Sequence, residues 1–311
     1  MWLSLAVFLI SSYVFLADAK NLDNSGHMAA SLRSKRLVGG TLAPHVPWQA
    51  MVYLNDSILD GGFAGGALLS DRWVLTAGRN LFVRKSREHT RGKKPMIPKV
   101  YLGIRRRDQA IDSKEVSVEK VILHPGFQNM SDWDNDLALI KLKEPVTLNE
   151  EVMPIPLPER GQDLVEEPGQ KGIIAGWGWG SFFTSAEILK HLVLPVASHS
   201  SCKEEYKHSG QVLSSTPVVD DKMFCTGATG YQENVCFGDA GGALAVQDPR
   251  DGKVYAAGIL SFDKGCAVEK YAVYMKLSAY MPWINSVLRG DVEMSDSLRS
   301  SVMSTMFSRR M

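Results

Sequence analysis

The stretch "CFGDAGGAL", Cys236 to Leu244, holds one carboxylate, Asp239, among glycines. Gly238, Gly241 and Gly242 suit a tight turn that residues with a Cβ resist. A tight loop of this kind can carry a nucleophile. The residue after Asp239 is Ala240, however, and a methyl group has no proton to give up. The remaining candidates for proton transfer are seven histidines: His27, His45, His89, His124, His191, His199 and His208. None has a serine or cysteine at motif spacing. No CxxC or HExxH pattern occurs, so no metal site and no cofactor are expected.

The elements that must hold this loop are short apolar or alternating runs punctuated by Gly and Pro. "VPWQAMVYL", "GALLSDRWVLTA", "VSVEKVIL", "DLALIKL", "KGIIAGW" and "AAGILSF" are examples. Their spacing predicts an all-β barrel or sandwich domain. "YMPWINSVLR" has Pro282 near its start and helical spacing of Trp283, Val287 and Leu288, which predicts a closing helix. The chain has 311 residues, 45% of them apolar, enough for a substantial core. A net charge of +1 gives no global field that would draw nucleic acid or an acidic membrane.

Residues 1–19 form an apolar segment ending Ala17-Asp18-Ala19, read as a secretory signal peptide, with an uncleaved anchor as the alternative. Secretion places the four cysteines where pairing is expected, and makes Asn55 and Asn129, each in an Asn-x-Ser triplet, glycan acceptors. Residues 20–36 are a short polar linker ending Arg33-Ser34-Lys35-Arg36, a site suited to a basic-specific convertase, with cleavage expected at Arg36–Leu37. The folded domain is expected over 37–290. The tail 291–311 is polar; Leu298, Val302, Met306 and Phe307 could line one helical face, or the tail could be disordered.

Taken in order, "RLVGG", "WVLTAGRN", "DNDLALIKL", "AGWG", "CFGDAGGAL" and "GILSFDKGCA" resemble the landmarks of the chymotrypsin-like serine proteases from Leu37 to about Arg289. The resemblance implies two six-stranded antiparallel barrels, near 37–155 and 156–290, with a C-terminal helix. It also implies that Arg79 stands where the general-base histidine would be, Asp136 where the orienting aspartate would be, and Ala240 where the nucleophile would be. A guanidinium stays protonated and has no acceptor lone pair, so the triad is degenerate and no protease activity is expected. Asp239 is the expected partner of the Leu37 amino terminus after cleavage. "LHPGF" also matches the family, which makes His124 structural. The disulfides the resemblance implies are Cys202–Cys225 and Cys236–Cys266. Two family bridges are missing at both ends, at Asn80 with Ala64 and at Gly172 with Val246. The substrate pocket is altered at Asn234, Asp263 and Ala272.

"VMPIPLP", "YQENVCFGDAGGALAV" and "YAAGILSFDKGCAVEKYAVYMK" resemble the haemoglobin-capturing, inactive members of that family. That implies haemoglobin αβ dimers as the partner, limiting haem oxidation and iron loss. The expected contacts are Tyr231, Gln232, Glu233, Phe237, Phe262, Asp263 and Lys264 on loops at the old cleft rim. A complement-control module is not expected, and Pro156 replaces the cysteine that tethers such chains to a second chain. The loop from Lys203 to Phe224 has few cations, which weakens the case for a scavenger receptor as partner. The competing reading is a decoy or cofactor that binds another protease or a microbial or polyanionic surface. The basic run "VRKSREHTRGKK", 83–94, would serve that role.

Overall fold

The apolar runs fold as short antiparallel strands in two curled sheets, seen in a computed structural model. The described residues are 41–42, 45–54, 62–82, 94–129, 131–179, 184–207, 217–227, 234–263, 266–267 and 269–290. The leader, the 20–36 linker, Leu37, Asn55, residues 83–93 of the basic run, Tyr231, Gln232, Glu233, Lys264 and the tail lie outside them.

The strands are β1 (Thr41–Leu42), β2 (Gln49–Tyr53), β3 (Phe63–Ser70), β4 (Trp73–Thr76), β5 (Lys99–Leu102), β6 (Glu115–Val116), β7 (Val118–Leu123) and β8 (Ala138–Leu142). They continue as β9 (Lys171–Gly176), β10 (Lys190–Pro195), β11 (Met223–Thr226), β12 (Ala243–Gln247), β13 (Val254–Phe262) and β14 (Ala272–Lys276). Helix α1 spans His199–Glu205 and α2 spans Leu277–Leu288. One sheet runs β6-β5-β2-β3-β4-β8-β7 and the other β1-β10-β9-β12-β13-β14-β11. Each six-strand set thus gains a two-residue edge strand, β6 in the first and β1 in the second. β1 comes from the first half of the chain yet pairs with β10 through Thr41 opposite His191.

The chain changes sheets at Ile155–Pro156. Ile155 N–H donates to Leu68 O in the first sheet, at 2.9 Å, and Pro156 O accepts from Ala256 N–H in the second, also at 2.9 Å. Leu68, Val74 and Ile140 fill the inside of the first sheet, and Leu194, Leu244 and Tyr274 fill the second. A third cluster joins them: Leu75 and Leu139 from one sheet pack with Ile259 and Met275 from the other and with Ile284 of α2. Dispersion and water exclusion across this seam hold the two halves in one geometry.

Disulfides close between Cys202 and Cys225 and between Cys236 and Cys266. The register of β9 and β12 sets Gly172 opposite Val246. A Cβ at Gly172 would lie 2.6 Å from the Leu244 side chain, so the space there is already filled.

α2 begins at Leu277, five residues before Pro282, which lies inside the helix. Proline lacks one helical hydrogen bond, but burial of Leu277, Tyr280, Ile284 and Val287 carries the helix through it. Among the described residues no helix is long and apolar enough to cross a membrane.

α2 also packs on His124, whose ring meets Tyr280 and Trp283 edge-on at 5.3 and 4.9 Å between centroids. His124 Nδ1 accepts from Gly126 N–H at 3.1 Å. Burial, with the nearby Lys222 charge, lowers its pKa from 6.5 to about 4. Because the folded value lies below the unfolded one, this group's contribution to stability is complete above pH 6.5 and is lost as pH falls through about 4. Resistance to urea should therefore weaken as pH falls across that window, and His124→Phe should flatten that part of the profile.

Candidate functional site

Asp136, just before β8, has no exposed surface. A buried carboxylate must be met by donors or a cation, and they come from the neighbouring strand's turn and from the other sheet. Arg79 N–H donates to Asp136 Oδ1 at 2.8 Å. Ser261 on β13 donates its hydroxyl to Oδ2 at 2.5 Å. The Arg79 guanidinium completes an ion pair, Nε to Oδ2 at 3.9 Å.

Arg79 sits in a single 3-10 turn, Gly78–Leu81, at the end of β4. The turn passes close to Phe127, whose ring would lie 2.9 Å from a Cβ at Gly78. The guanidinium carbon lies 3.6 Å from the centroid of the Trp133 ring. Trp133 in turn packs on Phe262, at 4.2 Å between centroids. Stacking on a desolvated indole adds about 2 kcal/mol in favourable cases. Trp133 and Ser261 were not foreseen. Trp133, only three residues before Asp136, was the one visible signal.

The Asp239–Gly242 turn is stitched to the same place. Ala240 O accepts from Gly65 N–H at 2.9 Å and from the Asn80 side-chain amide at 2.8 Å. Asn80 thus links the Arg79 turn to the Ala240 loop. Gly241 has φ of +89°, and a Cβ there would lie 2.3 Å from both Gly65 O and Thr76 Oγ1. Only glycine fits this crossing.

Asp239 points away from Arg79, into the second sheet. Its carboxylate accepts from Gly178 N–H at 2.8 Å and from Cys236 N–H at 3.1 Å. A Cβ at Gly176 or Gly178 would overlap the carboxylate, at 2.1 and 2.3 Å, which explains the glycines of "AGWG". Asp239 lines an open cleft of about 390 Å³ with Trp179, Lys190, His191 and Asn234. Burial raises the Asp239 pKa from 3.8 to about 6, against the pull of the two N–H groups and of Lys190.

The expected rim residues separate. Phe237 is 44% exposed and meets Trp179 edge-on at 5.6 Å. Phe262 is not a rim residue: it is 5% exposed, packed between Trp133 and Tyr206, because its strand β13 belongs to the central seam. Asp263 also turns inward, accepting from Cys266 N–H at 2.5 Å, and burial raises its pKa. Asn234 donates to Ala267 O and Lys270 O at 2.9 and 2.7 Å, tying neighbouring loops together. Tyr231, Gln232, Glu233 and Lys264 lie outside the described residues. Asn129 is exposed.

The two sheets, the seam and the loops that meet there define a class of protein. The trypsin family model matches residues 37–284, and the chain belongs to that family. Within it the chain is haptoglobin-like. It is 36% identical over 266 residues to haptoglobin of Mesocricetus auratus, covering 82% of this chain and 70% of that protein. Identity to haptoglobin of Cervus elaphus is 36% over 269 residues, 82% of this chain and 61% of that one. Human haptoglobin is 35% identical over 264 residues, covering 82% and 60% respectively. The chain therefore spans under two thirds of the length of some of these relatives.

The Asp239 environment sets a pH dependence opposite to that of His124. Its folded pKa of about 6 lies above the ordinary 3.8, so its stability contribution is complete below 3.8 and falls as pH rises through about 6. In chain uncleaved at Arg36–Leu37, the stability advantage of wild type over Asp239→Asn should shrink by about 3 kcal/mol across that window. Paired urea titrations at several pH values measure it.

Proposed function

We propose that this chain is a secreted, proteolytically inactive member of its family that captures free haemoglobin. The observation that carries the inactivity is the Arg79–Asp136 contact. At the position the family gives to a base, the carboxylate that would orient an imidazole holds a guanidinium instead. Arg79 has no lone pair to accept a proton, and Ala240 has none to donate. Asp263 and Asn234, engaged in loop contacts, stand where a substrate side chain would enter. Scaffold groups remain because the fold needs them, and the groups that would react have been replaced.

The likeness to haptoglobins supports capture of haemoglobin αβ dimers, with its protection against haem oxidation and iron loss. Phe237 is the described rim residue best suited to anchor such a partner, since exposed aromatics with packed flanks dominate interfaces. Two disulfides suit an oxidising, extracellular setting. Exposed Asn129 suits a glycan, and Asn55 is the second acceptor.

Cleavage at Arg36–Leu37 by a basic-specific convertase would free the Leu37 ammonium. The cleft beside Asp239 offers that charge a buried partner. Truncating one member of such a pair typically costs about 3–5 kcal/mol.

Gel filtration of the protein mixed with haemoglobin tests the reading. A co-migrating complex is expected, and Phe237→Ala should weaken it about tenfold. A fluorophosphonate probe should leave the protein unlabelled. No complex at micromolar concentrations would favour the decoy reading, and stoichiometric labelling would restore a protease.

A further inference from the structure

Lys190 lines the same cleft as Asp239. It lies on β10 as the register partner of Gly176 on β9. Residues paired across antiparallel strands point to the same face, with Cβ atoms about 5 Å apart. At Gly176 the place of a Cβ is filled by Asp239 Oδ1. The Lys190 stem therefore starts beside the carboxylate, on its side of the sheet.

Each charge answers to the other. Burial lowers the Lys190 pKa and the Asp239 charge raises it. Burial raises that of Asp239, and Lys190 is the cation that opposes the rise. The other titratable groups around the carboxylate are Asp263, which repels it, Tyr274 from β14, and His191 beside Lys190 on β10. What the carboxylate holds is the rim. Gly178 N–H and Cys236 N–H donate to it, and the next residues along, Trp179 and Phe237, are joined by Trp179 N–H to Phe237 O at 2.8 Å. Protonation would turn one acceptor oxygen into a donor, so an ionised Asp239 keeps exposed Phe237 in place. In the continuous chain the Leu37 nitrogen is a peptide amide and brings no charge.

We propose that Lys190 is the positioning residue that supplies Asp239 with its counter-charge in the continuous chain, in place of the Leu37 ammonium, so that the Phe237 rim is formed before any cleavage at Arg36–Leu37. After a cut, the new ammonium takes over the role and Lys190 becomes dispensable. Cleavage is then no switch for partner capture. That last step rests on the haemoglobin-binding reading; the charge pairing does not.

Lys190→Met removes the charge and keeps the apolar stem, and Arg36→Gln keeps the chain continuous. In that chain the stability advantage of Asp239 over Asp239→Asn, read by paired urea titrations, levels off near pH 6. With Lys190→Met its decline should run on to about pH 7, and Lys190→Arg should restore the first profile. In chain cut at Arg36–Leu37, Lys190→Met should leave the profile unchanged, which also reports that the variant folds. The continuous chain should capture haemoglobin as well as the cut one. At about pH 6.5 Lys190→Met lowers the ionised fraction of Asp239 about threefold, and capture by the continuous chain should weaken by the same factor. An unmoved profile, an equal shift in both forms, or no rescue by arginine would overturn the charge pairing. Capture only after cutting, or capture unchanged while the profile moves, would overturn its consequence for the rim. If no form captures haemoglobin, the proposed function fails while the urea profiles still judge Lys190.

Discussion

A carboxylate without exposed surface, Asp136, is the point on which the centre of this molecule depends. Left alone, its charge would be too costly to bury at the junction of two sheets. A backbone N–H and a guanidinium from the β4 turn, with a hydroxyl from β13, compensate it. Those partners come from opposite sheets, so satisfying the charge also fixes how the sheets meet. Arg79 does more than balance charge. By lying on Trp133, it extends the apolar seam over its own cation and joins Asp136 to the Trp133–Phe262–Tyr206 aromatic stack.

The same economy of structure explains the neighbouring loop. Asn80 joins the two turns with one amide, from the side chain next to Arg79 to the carbonyl of Ala240. A hydrogen bond constrains an unfolded chain far less than a covalent link does, so the loops around this seam rely on packing. The two bridges that are present fall in the second sheet and its loops. Gly65 and Gly241 are required for close backbone approach, and Gly176 leaves room for the Asp239 carboxylate.

Much of this was legible in the residues. Motif order placed Arg79, Asp136, Ala240 and Asp239 in one neighbourhood, and the punctuated apolar runs indicated strands. Phe262 was misplaced because an aromatic beside Asp263 reads like loop chemistry, whereas its strand extends through that residue into the seam. The start of α2 was placed too late because Pro282 looks like a first-turn residue. A helix well packed on one face tolerates the missing bond.

What the chain's chemistry settled by itself is the inventory: a guanidinium and a methyl group have fixed protonation behaviour wherever they sit. Which groups face each other across a hundred residues was decided only by the tertiary structure. Asp136 reaches Ser261 because two sheets pack at one angle and register. Burial and distance are properties of that packing, and no local pattern encodes them.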